Sequence, residues 1–151
     1  MKGIYNVAEK LKDTAIRNPM VSMSSFGDIQ LYNNKASVKY PYVNFDIVSS
    51  YVSNFVKTYT MRIYSCDRNE PYIAYNKAEM IIDDILKRLE IDGYTVNYFT
   101  LNFKDMINGC WADFEIETSI VQDECDYTQL LSDTAENFYD IDSNGDFIIN
   151  N

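Results

Sequence analysis

The sequence predicts an α+β domain, with a mainly antiparallel sheet of about five strands packed by two helices. Three observations predict it. Apolar residues recur at helical spacing over residues 4–17 and 73–91, several other stretches alternate apolar and polar residues with period two, and the composition suits a folded, β-rich chain. Hydrophobic residues make up 46% of the 151 and aromatics 15%, with thirteen Tyr and eight Phe, which favours pleated, packed surfaces over disorder. Five Gly and three Pro leave no low-complexity linker, and the length suits one hydrophobic core.

In chain order, Ile4, Val7, Ala8, Leu11 and Ala15 form a packing stripe that Asn18-Pro19 brings to a stop. Residues 20–32 read as a strand broken at Gly27-Asp28, and Asn33-Asn34-Lys35 as a turn. In YPYVNFDIVSS, Val43, Phe45 and Ile47 share one face and Tyr42, Asn44 and Asp46 the other. FVKTYTMRIYSC repeats the pattern and pairs antiparallel with it through a loop around Ser49 to Asn54. In the second helix Ala74, Ala78, Ile81, Ile82, Ile85 and Leu89 form one stripe, and Gly93 suits its end. YTVNYFTLNF and CWADFEIETSI supply two more strands. The expected core includes Leu11, Phe45, Ile47, Ile63, Ile81, Ile85, Phe99, Leu101, Phe114 and Ile116.

Charge divides the chain. Through Lys104 there are 13 basic and 11 acidic residues, a balance of +2; from Asp105 onward there are 12 acids and no Lys or Arg, a balance of −12. Such a segment is a solvated acidic surface, or one that repels nucleic acid or docks on a basic partner. Histidine is absent, which excludes Ser-His-Asp and Cys-His catalysis within the chain. No glycine-rich phosphate loop occurs, and Cys66, Cys110 and Cys125 are spaced as ordinary thiols rather than as a disulfide framework or zinc site. No apolar run approaches a membrane span, and the charged N-terminus lacks a secretory signal, so synthesis in the cytosol is expected. No enzyme, cofactor or metal is expected.

Three constellations are candidates for chemistry. Asp83 and Asp84 are adjacent on a helix, where neighbours point about 100° apart, so they make a poor acid pair. Asp113, Glu115 and Glu117 line one strand face, spaced about 7 Å apart. They could hold a hard cation in a small hydrolase or nuclease, form the wet face of a sheet, or, repeated by ring symmetry, wall a negative lumen past which DNA slides. The terminal FYDIDSNGDFIINN places Asp140, Asp142, Asn144, Gly145 and Phe147 at positions 1, 3, 5, 6 and 8 of a calcium loop. A calcium-binding module would use Asp140, Asp142, Asn144 and Asp146, but Asn151 stands where a bidentate Glu belongs. The favoured expectation is a β-hairpin, with Phe138 to Ile141 and Phe147 to Ile149 flanking a turn at Ser143-Asn144-Gly145.

The order helix, strands, helix, two strands resembles the tail terminator and head-to-tail joining proteins of tailed bacteriophages. It is similar within that group to the short neck or tail proteins of crAss-like and other Bacteroides phages. The segments that carry the resemblance are "NPMVSMSSFGDI", "YPYVNFDI", "MRIYSCDRNE" and "GCWADFEIET", and it covers residues 1 to 121. The resemblance implies a tail-terminator-like domain over 1–121 and a virion component that forms a homo-oligomeric ring between portal and tail around the DNA channel. Portal, connector or tail proteins would be its neighbours, with no specific nucleic-acid binding and no membrane. It brings no catalytic residues. Residues 122–151 depart from the pattern as an acidic extension, a short helix from Asp126 to Asn137 followed by the hairpin.

Overall fold

The computed structural model describes residues 3–27, 38–102, 104–119, 139–141 and 147–149. Helix α1 (Ile4–Ile16) leads into β1 (Met23–Phe26), β2 (Tyr42–Ser53), β3 (Val56–Arg68), helix α2 (Pro71–Arg88), β4 (Asn97–Asn102) and β5 (Ile107–Ser119). The short strands β6 (Tyr139–Ile141) and β7 (Phe147–Ile149) follow. The main sheet has the order β1-β2-β3-β5-β4, and β6 with β7 makes a separate two-stranded sheet. Among the described residues the architecture is α+β, a five-stranded main sheet with two helices beside the separate β6–β7 pair.

The main sheet is mixed rather than purely antiparallel, because β1 runs parallel to β2 while the other three pairings are antiparallel. Parallel neighbours need a connection of about a dozen residues or more, and residues 27–41 are long enough to allow the return. The strand expected over residues 20–32 is described only as far as β1; residues 28–37, including the expected turn at Asn33-Asn34-Lys35, lie outside the described residues.

α1 buries Val7, Leu11, Thr14 and Ala15, one stripe of its surface. Its end is fastened by Asn18, whose Oδ1 accepts from the Met20 N–H at 2.8 Å while its Nδ2 donates to Asp84 Oδ2 at 2.8 Å. α2 begins earlier than its apolar stripe suggests because Pro71 occupies its first turn, a position whose N–H has no partner in a helix anyway. It also ends earlier. Ile91 N donates to Leu86 O at 2.9 Å and Glu90 N to Lys87 O at 3.0 Å, the paired bonds of a Schellman motif. Glu90, not Gly93, takes the left-handed position, with φ 62°.

β2 and β3 form a longer hairpin than expected. Their pairing runs through Ser53↔Val56, and the turn contains only Asn54 (φ 52°) and Phe55 (φ 63°), the two positive angles of a type I′ turn. A bulge between Ile47 and Ser49 shifts the register so that the strand continues past the expected loop.

Both helices pack on one face of the sheet. The core there joins Val7, Leu11 and Ala15 of α1 and Ile81, Ile82, Ile85 and Leu86 of α2 to Phe45, Met61, Ile63, Ala112, Phe114 and Ile116 of the strands. The opposite face carries a smaller cluster of Tyr42, Cys66 and Ile107, against which Met23, Tyr64, Phe99 and Leu101 pack. Three expected core positions are therefore corrected. Phe99 lies opposite Gly109 and is half-buried in the smaller cluster, as is Leu101 beside the bulge of β4. Ile47 is 40% exposed because it sits on β2 beyond its pairing with β1, where no described strand or helix covers it.

Candidate functional site

Along β5, Asp113, Glu115 and Glu117 alternate with the buried Ala112, Phe114 and Ile116, so the period-two pattern sends the carboxylates to the face away from the helices. Their cross-strand neighbours differ. Asp113 lies opposite Arg62, whereas Glu115 and Glu117 face Thr60 and Thr58 and are exposed. The Arg62 guanidinium grips Asp113 with two bonds, Nε to Oδ1 at 2.7 Å and Nη2 to Oδ2 at 3.0 Å. It also stacks 4.1 Å from the Trp111 ring centre. The hydrogen bond to Asp113 is the main cause that raises the Arg62 pKa above its ordinary range. The geometry is a planar cation held between an indole and a carboxylate. Among the described residues no three His, Cys, Asp or Glu side chains are grouped to hold a metal ion.

Asp83 and Asp84 diverge, as helix geometry requires. Asp84 accepts from Asn18 and from Arg88 Nε at 2.9 Å, while Asp83 accepts from the Tyr94 hydroxyl at 2.5 Å. Burial, and then that bond to Asp83, push the Tyr94 phenol up to about 12. Both carboxylates fasten α2 to its neighbours.

The C-terminal stretch has the backbone pairing of a hairpin, with Tyr139↔Ile149, Asp140↔Ile148 and Ile141↔Phe147. Asp142, Asn144 and Asp146 lie outside the described residues, as do the expected helix from Asp126 to Asn137 and Cys125. Cys66 and Cys110 are free and buried.

Two exposed surfaces stand out that sequence patterns did not single out. The first is the distal half of the β2–β3 hairpin. Beyond Phe45, β2 pairs only with β3 among the described strands, yet Val48, Tyr51, Val52 and Phe55 are 50%, 64%, 54% and 71% exposed. The second is a row of three tyrosines where α2 meets β4. Tyr75 and Tyr98 have ring centres 5.1 Å apart, and Tyr72 stands edge-on to Tyr75 at 6.4 Å. The Tyr98 hydroxyl donates to Glu79 Oε1 at 2.8 Å. Tyr72 is exposed, while Tyr75 is half-buried at the margin of the apolar stripe and packs against the main core; Tyr98 could be joined to them only by tertiary packing. No helix among the described residues is long and apolar enough to cross a membrane. Comparison with protein-family models and with curated proteins finds no match for the chain.

Proposed function

We propose that the chain is a structural virion protein that assembles as a ring in the neck or tail of a tailed phage, joining portal or connector to tail around the DNA channel, and that it is not an enzyme. The observation that supports this reading best is the exposed hairpin. Among the described residues the edge of β2 beyond Phe45 is unpaired and the hairpin bears large apolar side chains. Such an edge is an aggregation hazard unless covered, and a ring subunit covers it with the next copy of itself. The charge balance is compatible with a DNA channel, since a net charge of −10 weakens non-specific binding to phosphate. The tail-terminator-like identity of the domain rests on the sequence resemblance described above.

Light scattering and negative-stain microscopy of the purified protein test the assembly, with closed rings as the expected result. The double substitution Tyr51→Lys and Val52→Lys should give folded monomers. A wild-type protein that stays monomeric at every concentration, and is absent from purified phage particles, would remove the proposal.

A further inference from the structure

The Arg62 site shows how this chain itself holds a guanidinium: an aromatic face on one side and a carboxylate to receive its N–H groups. The same parts recur at the start of α2 without an arginine among them. Tyr72, Tyr75, Asn76, Glu79 and Tyr98 line an open depression of about 400 Å³. The planes of Tyr72 and Tyr75 are 89° apart and those of Tyr75 and Tyr98 are 57° apart, so the three rings line the hollow at differing angles, and the 88% exposed Tyr72 is the ring most open to a ligand. Tyr98 is held in place by its bond to Glu79 Oε1, which leaves the second carboxylate oxygen for another donor. The surroundings are negative: Glu79 and Asp83 add to burial in raising the Cys110 thiol. The described cation–ring contacts involve Tyr40, Tyr59 and Trp111 and none of these three tyrosines.

We infer that Tyr72, Tyr75, Tyr98 and Glu79 form a recognition pocket for an arginine side chain presented by a protein partner. The chemistry selects the guanidinium, which is planar enough to stack on a phenol ring while donating to Glu79 and to the Asn76 side-chain oxygen. In so open a hollow an isolated arginine binds weakly, at millimolar peptide, and a protein partner adds affinity through a larger contact. Exposed apolar surface for that contact lies alongside, because Ile73 and Met80 are 46% and 53% exposed and, seven residues apart, share one stripe of α2. This inference does not depend on ring assembly or on a phage setting.

The test is a titration of the full chain with the peptide acetyl-Gly-Arg-Gly-amide, followed by NMR of ring-labelled tyrosines. Saturable shifts at Tyr72, Tyr75 and Tyr98 are expected, with none from the citrulline peptide, which keeps the shape and loses the charge. Tyr72→Ala removes an 88% exposed side chain and Glu79→Gln removes only charge; each should weaken binding roughly five-fold while the amide spectrum shows an intact fold. Equal shifts with the citrulline or a norleucine peptide, or unchanged affinity in both variants, would overturn the inference.

Discussion

Asp113 has its structural role spelled out by one neighbour. Its carboxylate is neutralised by Arg62, whose side chain is 31% exposed against 40% for Asp113. Because the pair is partly solvated, its contribution is modest: Asp113→Asn should lower unfolding free energy by about 1 kcal/mol, read from the denaturant midpoint. The buried thiols give a pH signature. Burial first, and then Asp67, push Cys66 up from 9.0 to about 12, and burial with Glu79 and Asp83 does the same to Cys110. The native state thus favours the neutral thiols. Their contribution is complete below the unfolded value of 9.0 and is lost as pH rises from there toward about 12. The denaturant midpoint should therefore fall as pH rises from 9.0 toward about 12, and Cys66→Ala should reduce that fall. An unchanged dependence in the variant would show that the thiol contributes nothing to it.

At the scale of elements, the hairpin turn carries local strain in a conformation that glycine adopts freely. Phe55 has φ 63°, where a side chain costs about 1 kcal/mol relative to glycine. Phe55→Gly should raise the melting temperature of the isolated subunit. If the exposed ring at the tip is an assembly contact, the same change should weaken oligomers, so stability and assembly would move in opposite directions. The middle of the sheet has the reverse requirement. Gly109 of β5 lies between Cys66 of β3 and Phe99 of β4, and an added Cβ would collide with the Ser65 carbonyl oxygen and approach Cys66 Cα to 2.8 Å. Neither obstacle is a movable side-chain end. Gly109→Ala should cost on the order of 3 kcal/mol, measured by chemical unfolding.

For the whole molecule, the five-stranded sheet forms its ladders without β6 and β7, which among the described strands pair with each other. Removing residues 123–151 should therefore leave a domain that unfolds in one cooperative transition, seen by circular dichroism. On the proposed function that domain should assemble poorly, because the acidic segment and its apolar residues Phe147, Ile148 and Ile149 suit docking on a neighbouring subunit. A truncated chain that entered particles as well as the full one would exclude a role for the extension in assembly.

Local pattern was enough to reveal both helices, the strands from Tyr42 onward and most of the helix-covered core, because amphipathic period follows directly from which side of an element faces apolar neighbours. The β6–β7 hairpin was legible for a related reason, since a turn-forming Asn-Gly sits between two apolar stretches. Tertiary structure alone decided the rest. The parallel placement of β1 depends on how the chain returns to the sheet, and the exposure of Ile47 on what lies beyond a strand edge. The pairing of Asp113 with Arg62 depends on the register of strands 51 residues apart. The tyrosine pocket likewise joins a helix to a strand from different parts of the chain, and no spacing within either element encodes that meeting.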